Sequence, residues 1–136
     1  TMPNLPISDA AGSGMHAQST RLNTIASNLA NADSVSGDPN TVYKVREPVF
    51  QVHGFGPDGA HQGVRVAQVV QGGGEPVARY QPGHPQADEQ GYVYAPDIDP
   101  VAQMVNMISA SRSYQANVEV MNTAKELAMA TLNMGR

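Results

Sequence analysis

The 136-residue chain contains no cysteine and no tryptophan, and only two phenylalanines. The missing cysteine excludes disulfides, zinc–thiolate sites and thiol nucleophiles. Leu, Ile, Val and Phe together account for 26 residues, about 19% of the chain, which is close to the level below which disorder becomes common. We infer a chain that buries only a small core by itself and gains stability from neighbouring molecules.

Charge is scarce as well, because Lys, Arg, Asp and Glu make up 15% of the residues and leave a net charge of −4. An acidic, weakly charged chain has no basic patch of the kind that binds a nucleic-acid backbone. No apolar run approaches the roughly 18 residues of a membrane span. The sequence does not show a charged segment followed by an apolar one, the pattern that predicts a cleaved secretion signal. We therefore expect neither nucleic-acid binding nor membrane insertion.

Composition divides the chain into three parts, residues 1–34, 35–96 and 97–136. The first part is predicted to form a helix over residues 7–32, where Asp9 and Arg21 are the only charged side chains. Its seam residues recur every three or four positions, the spacing of a helix face that packs on a partner helix. These residues are Ile7, Ala11, Met15, Gln18, Leu22, Ile25 and Leu29.

The middle part holds seven of the ten prolines and most of the glycines. β-Branched runs separated by turn residues predict four short strands. Pro48 restricts the first of them to a sheet edge or breaks it. The predicted strands cover residues 42–52, 64–70, 77–80 and 92–95.

The last part is predicted to form a second helix over residues 99–134. Asp99 is suited to the N-cap, Pro100 to the first turn and Gly135 to the end. The predicted fold class is α+β, with long N- and C-terminal helices paired as a coiled-coil-like hairpin and a small β-rich module inserted between them. The seam of the second helix is Ala110, Tyr114, Val118, Met121, Ala124, Ala128 and Leu132.

Both helices are unusually poor in charge on the sides away from their seams. Surface helices normally carry many charged residues opposite the apolar stripe. The second helix carries only four, which are Arg112, Glu119, Lys125 and Glu126. Short uncharged side chains make a poor solvated surface and a good contact surface, so we infer helices that pack fully only in an assembly.

The letters GFGPDG, with Gly54, Gly56 and Gly59, match a dinucleotide-binding pattern. That pattern requires the last glycines to open a helix. Pro57 and the strand-like segment that follows favour a turn instead. The sequence predicts no cofactor at this position.

Two acidic groupings could be drawn as metal or acid–base sites. His84, Asp88 and Glu89 lie in a loop rich in proline and glycine. The pair Asp97 and Asp99 is partly explained, because Asp99 is the expected helix cap. We predict no metal site and no catalytic residue, and the chain is not expected to be an enzyme.

Two stretches at the ends of the chain form a recognisable pair, AGSGMHAQSTRLNTIASNLANADS near the start and SRSYQANVEVMNTAKELAMATLNMGR at the end. The first resembles the N-terminal signature, and the second the C-terminal helix, of the bacterial flagellar rod, hook and hook-associated axial proteins. The first match is carried by Arg21, Leu22, Asn23, Ala26, Asn28, Leu29, Ala30 and Asn31. The second is carried by Arg112, Tyr114, Gln115, Ala116, Asn117, Lys125 and Leu132. The segment YQPGHPQADEQGYVYAPDIDP and the short length are most similar to a proximal rod subunit.

The resemblance implies a structural subunit of the rod, the shaft that transmits torque from the motor across the periplasm to the hook. It implies export by the flagellar type III apparatus without a cleaved signal peptide, and full folding on assembly. The implied partners are copies of itself, proximal and distal rod proteins, rod-base and MS-ring or export-gate components, and the export apparatus. Two alternatives stay open: another rod- or hook-type axial component, and a secreted helical adaptor or binding module.

We predict that the assembly interface lies on the two helices. Leu22, Ile25 and Leu29 are expected to face the second helix, and the Asn, Ser and Thr residues between them are expected to face other subunits. The predicted interface residues are Met15, Gln18, Arg21, Leu22, Ile25, Asn28, Leu29, Asn31, Arg112, Tyr114, Asn117, Val118, Met121, Lys125, Ala128 and Leu132.

Overall fold

The computed structural model describes residues 6–135, which form two long helices and two separate two-stranded antiparallel sheets. The α+β class is confirmed. The elements in chain order are α1 (Pro6–Ala30), β1 (Val45–Phe55), β2 (His61–Gly72), β3 (Val77–Tyr80), β4 (Tyr92–Ala95) and α2 (Pro100–Met134).

The ends of α2 follow the local signals in the sequence. The Asp99 carboxylate accepts a hydrogen bond from the backbone N–H of Val101 at 3.0 Å, and Pro100 occupies the first turn. At the other end, the N–H of Gly135 donates to the carbonyl of Thr131 at 3.1 Å. Both predicted boundaries of this helix are confirmed.

α1 ends at Ala30, slightly earlier than predicted. The backbone N–H of Asn31 still donates to the carbonyl of Ser27 at 3.1 Å, and the Asn31 side chain donates to the same carbonyl at 2.8 Å. Asn and Ser favour such local bonds over helix continuation.

The two helices run antiparallel and approach closely where α1 carries glycine. A Cβ atom at Gly14 would lie 2.8 Å from Nδ2 of Asn117, and one at Gly12 would lie 3.4 Å from Cε of Met121. Further along, Asn28 contacts Gln103. The residue numbers of these neighbouring pairs rise along α1 as they fall along α2, so the two helices are antiparallel.

The core between the helices is built mainly from small side chains. Ala17 and Ala110 are completely buried. Among the described side chains of α1, Ile25 is the only large apolar one that is buried, at 4% exposure. The ends of the predicted seams lie outside this core, since Ile7 is 54% and Leu132 is 55% exposed. The prediction of seam positions was wrong at these ends. Gly12 lies beside Met121 in an antiparallel pair, so Leu132 lies beyond the first described turn of α1.

β1 and β2 form a long ribbon closed by a short turn at Pro57–Gly59. Gly56 and Gly59 have φ values of 81° and 65°, which glycine adopts without strain, and Asp58 between them has a φ of 63° although it carries a Cβ atom. The interpretation of GFGPDG as a turn is confirmed. β1 has the predicted length of 11 residues but lies three positions later, and β2 is longer than predicted, because cross-strand pairing runs from Val45 and Gly72 to Phe55 and His61.

Pro48 lies inside β1, on an edge strand of a two-stranded sheet, as expected. The strand register shifts between Val49 and Phe50, directly after the proline. A proline cannot donate to the ladder, so an irregularity beside it costs few hydrogen bonds.

β3 and β4 pair along their full length, and their bounds coincide with the predicted runs. Ser36 adds a bridge to this sheet by exchanging two backbone hydrogen bonds with Tyr94, at 2.9 and 2.8 Å. Val93 and Ala95 are fully buried, so this sheet has its own small core.

Candidate assembly interface

α1 is the central element of the subunit, because it contacts α2 and also both strands of the β1–β2 ribbon. The ribbon is attached to α1 at two places by polar side chains. One attachment is made by Asn28 near the C-terminal end of α1, and the other by Ser13 near its N-terminal end.

Asn28 is 2% exposed and uses both ends of its amide. Its Oδ1 accepts from the backbone N–H of Arg46 at 2.9 Å and from the hydroxyl of Tyr43 at 2.8 Å. Its Nδ2 donates to the carbonyl of Arg46 at 3.0 Å and to Oε1 of Gln103 at 3.4 Å. An Asn amide has two donor and two acceptor positions, and all four are occupied here. One side chain thus joins α1, α2 and β1.

The second attachment is simpler. The hydroxyl of Ser13 accepts from the backbone N–H of Val64 in β2 at 3.1 Å and donates to the carbonyl of Ala10 at 2.8 Å. The first bond gives a partner to a backbone N–H of the ribbon, and the second lies within α1.

These bonds correct one expectation from the sequence. The Asn, Ser and Thr residues between Leu22 and Leu29 were expected to face other subunits, yet Ser27 hydrogen-bonds the Tyr43 hydroxyl at 2.8 Å and Asn28 binds the ribbon of its own chain. The sequence pattern shows that a polar face needs a partner; it does not show which strand of the same chain supplies it.

The predicted interface residues fall into three groups of exposure. Ile25 and Asn28 are buried within the subunit. Arg112, Lys125 and Leu132 are exposed, all on α2. The remaining ones are partly buried: Met15, Gln18, Arg21, Leu22, Leu29, Asn31, Tyr114, Asn117, Val118, Met121 and Ala128.

Partial burial on this scale leaves contact area available beyond the intrachain seam. Met121 and Asn117 each contact a glycine of α1 within the same subunit, while the exposed group contacts solvent. That these residues contact a neighbouring subunit stays a prediction.

The structure also shows an apolar surface that the sequence-based set did not include. Val101, Met104, Val105 and Ile108 are between 54% and 67% exposed. They are spaced by three or four residues over the first two turns of α2, so they form one stripe, which we call the α2 apolar stripe. Their spacing was a readable signal. Exposed apolar patches of this kind mark interaction sites.

Two of the side chains considered for chemistry, Asp88 and His84, form hydrogen bonds within the loop before β4. Asp88 accepts from the N–H groups of Gln90 and Tyr92 at 3.0 and 2.8 Å. Its other oxygen accepts from the Tyr94 hydroxyl at 3.4 Å. Burial, and secondarily the Asp88 carboxylate, raise the pKa of Tyr94 above its usual value. The Nδ1 atom of His84 accepts from the Gln86 N–H at 3.0 Å.

Within residues 6–135, no group of three or more His, Asp or Glu side chains is placed to hold a metal ion. Neither α1 nor α2 combines the length and the hydropathy that crossing a bilayer requires.

Comparison with known proteins gives matches at both ends and across the whole chain. The family described as "Flagella basal body rod protein" matches residues 9–37, and "Flagellar basal body rod FlgEFG protein C-terminal" matches residues 89–134. The flagellar basal-body rod protein FlgC of Escherichia coli O6:H1 is 51% identical over 99% of this chain and 100% of its own length. The FlgC proteins of Salmonella typhimurium and Aquifex aeolicus are 50% and 42% identical, over 99% and 88% of this chain and 100% and 87% of their own lengths.

A helix pair with a small-residue seam, an attached ribbon and an exposed apolar stripe suits a structural protein that packs against neighbouring molecules. The matches agree with that class, since the three relatives are flagellar rod proteins. The chain belongs to the FlgC family of flagellar basal-body rod proteins.

Proposed function

We propose that this chain is a structural subunit of the proximal rod of the bacterial flagellum and transmits torque from the motor towards the hook. The observation that carries the proposal is the 51% identity to a FlgC protein over the full length of both chains. The match spans the helices and the β-rich middle part alike, since it covers 99% of this chain.

The helix pair would act as the axial core of the rod, as a coiled-coil-like hairpin in its inner tube. The small-residue seam between α1 and α2 supports this, because it makes a narrow, stiff pair that leaves other sides free. The α2 apolar stripe and the exposed residues of the predicted interface would contact copies of this chain and other rod proteins. Many small contacts that repeat along a helical assembly would share the torque.

Export through the flagellar type III apparatus in an unfolded state fits the composition. The small apolar content keeps the isolated chain easy to unfold. The absence of cysteine prevents disulfide formation in the oxidising periplasm.

The direct test is to locate the chain in isolated basal bodies. A strain that lacks the endogenous protein is complemented with an epitope-tagged copy, and immunogold labelling is mapped on purified basal bodies. We expect label at the proximal rod. Label at the hook or distal rod would favour another axial component, for which the FlgEFG description of the C-terminal match is the supporting observation. Absence from basal bodies, in cells that swim, would contradict the proposal.

A second test concerns folding on assembly. The two helices have 25 and 35 residues, and we expect circular dichroism of the purified chain to show far less helix than these lengths would give. Full helicity with a cooperative melting transition in the isolated monomer would contradict assembly-coupled folding.

A further inference from the structure

Within residues 6–135, Asp58 is the one non-glycine residue with a left-handed backbone, at a φ of 63°. It lies in the turn Pro57–Gly59 at the tip of the β1–β2 ribbon, and its side chain is exposed. A left-handed conformation is unfavourable for a residue with a Cβ atom, because that atom approaches the following carbonyl oxygen. The turn therefore opposes a change in the Asp58 backbone less than an unstrained turn would.

The residue that follows Asp58 favours one particular reaction. Asp58–Gly59 is the only Asp–Gly or Asn–Gly pair in the 136-residue chain. The backbone nitrogen after an aspartate reaches the Cγ atom of that aspartate and closes a five-membered ring. A side chain on the following residue crowds this approach, and glycine has none. Because both reacting groups belong to neighbouring residues, no second molecule has to be held in place.

Four other aspartates are less suited to ring closure. The Asp88 carboxylate accepts two backbone N–H bonds, at 3.0 and 2.8 Å. Asp38 and Asp99 accept backbone N–H bonds at 2.9 and 3.0 Å, and each precedes a proline, whose nitrogen carries no hydrogen. Asp97 precedes a β-branched isoleucine. In the described part of the chain, the Asp58 carboxylate has no hydrogen-bond partner.

We propose that Asp58 is a site of spontaneous isoaspartate formation in the folded subunit. The backbone nitrogen of Gly59 bonds to Cγ of Asp58, and the amide hydrogen and the hydroxyl of the protonated carboxyl group leave as water. Water then adds to one of the two carbonyls of the cyclic imide. Addition at Cγ restores aspartate. Addition at the main-chain carbonyl breaks its bond to the nitrogen, and the chain then runs through the former side chain.

The product changes the closed end of the ribbon. Isoaspartate adds one carbon atom to the main chain, outside the strand ladder, which ends at Phe55 and His61. Gly59 packs closely on the first strand, since a Cβ atom at Gly54 would lie 3.0 Å from the Cα atom of Gly59. A longer main chain at Asp58 therefore displaces a packed residue. The inference does not depend on the proposed function, because it needs only the folded ribbon.

The reaction also creates a new chemical group on the surface. The former main-chain carboxyl of Asp58 becomes a free carboxylate beside an exposed turn. Such a carboxylate is the substrate of isoaspartyl methyltransferases, which esterify it with the methyl group of S-adenosylmethionine. The aged subunit is thus a substrate for this class of enzyme, and the newly made subunit is not.

Ageing in heavy-oxygen water tests the site. Basal bodies that carry the chain, and the purified full-length chain, are kept at growth temperature and neutral pH. They are then digested with Asp-N protease, which does not cleave before isoaspartate, and analysed by mass spectrometry. We expect loss of cleavage before residue 58 and heavy oxygen in that peptide. Asp33, which is exposed and precedes a serine, is the internal reference and should keep its cleavage. Equal conversion at Asp33, or none at Asp58, would overturn the proposal.

Two variants at the same position separate ring closure from exposure. Asp58→Glu keeps the charge but would have to close a six-membered ring, which is slower, so the heavy-oxygen signal should be lost. Asp58→Asn tolerates the left-handed backbone and forms the same imide with ammonia as the leaving group. We expect this variant to convert faster than the wild type. An asparagine that survives the incubation at position 58 would show that the folded turn blocks ring closure, and would contradict the proposal.

Enzymatic methylation gives an independent readout. Aged samples are treated with a purified isoaspartyl methyltransferase and labelled S-adenosylmethionine. We expect label on the peptide that contains residue 58 of the wild-type chain and loss of that label in Asp58→Glu. Equal labelling of the wild type and Asp58→Glu would place the isoaspartate elsewhere and overturn the assignment.

Discussion

The side-chain amide of Asn28 binds the backbone of Arg46 at both its N–H and its C=O, over 2.9 and 3.0 Å. This pair of bonds joins the end of one helix to the start of the ribbon, and it imitates the exchange of hydrogen bonds between two strands. No other side-chain type supplies an N–H donor and a C=O acceptor in this short fork, apart from the longer Gln.

Asn28→Ala should loosen the start of β1. Removing the amide leaves two backbone groups of Arg46 without these partners, at a cost of roughly 1–3 kcal/mol. Local opening would rise accordingly, and trypsin cleavage after Arg46 in isolated basal bodies should become about tenfold faster, because cleavage follows the open population. The rate is measured by mass spectrometry of the released peptides.

Asn31→Ala is the matched control for that experiment. Its side chain bonds only the carbonyl of Ser27 on the same helix end, so cleavage after Arg46 should stay at the wild-type rate. Equal rates for the wild type and Asn28→Ala would show that the amide does not hold the strand.

Gly14 and Gly12 should differ sharply in their tolerance of a side chain. A Cβ atom at position 14 would lie only 2.8 Å from Nδ2 of Asn117. Gly14→Leu therefore overpacks the contact between the helices, which costs about 1–3 kcal/mol. We expect loss of swimming. Gly12→Ala meets Met121 at an ordinary 3.4 Å and gains about 1 kcal/mol of helix propensity, so swimming should persist. A motile Gly14→Leu strain would argue against close helix contact there.

Leu22→Asp combined with Leu29→Asp should abolish motility while the protein is still made. Both side chains are partly buried on α1, and an unpaired carboxylate at a packed surface is strongly unfavourable. Soft-agar expansion and immunoblotting measure the two outcomes. Asn23→Asp, at an exposed position of α1, introduces the same charge and should swim. Normal swimming of the double Asp variant would remove both leucines from the contact seam.

Tyr94 should ionise later than an ordinary tyrosine, since burial, and then the negative charge of Asp88, raise its pKa. The raised pKa means that the folded state favours the neutral phenol of Tyr94. The stabilisation from this preference is therefore fully present below the ordinary tyrosine pKa of about 10. It is lost as pH rises through the higher pKa of the folded state. Tyrosinate absorbance during alkaline titration measures this, and Tyr94→Phe should remove the latest component. Asp88→Asn should shift that component to lower pH; an unchanged titration would exclude the carboxylate as a cause.

Several features could be predicted because they depend on neighbours in the sequence. Asp99 and Pro100 specify the start of α2, and β3 and β4 lie where short β-branched runs between turn residues predicted them. The turn at Pro57–Gly59 follows from glycines that tolerate positive φ. The signatures at both ends were sufficient to indicate the rod family, which the full-length identity to FlgC proteins confirmed.

The seams were predicted less well. Period alone places Ile7 and Leu132 with the buried residues, yet both are more than half exposed. The small residues that the period placed in the seams, Ala11, Ala110 and Ala124, are buried, so the prediction failed at the outer ends of the two seams.

By itself, the sequence determined the element types, most of their limits and the family, since capping, turn chemistry and periodicity act over a few residues. Only the tertiary structure decided what the polar residues of α1 bind. Ser13 and Asn28 reach Val64 and Arg46, partners 51 and 18 positions away in the chain. Arg21 and Arg46 line the same cleft for the same reason. Such contacts depend on how the ribbon crosses the helix, and that crossing is set by the packing of the whole subunit.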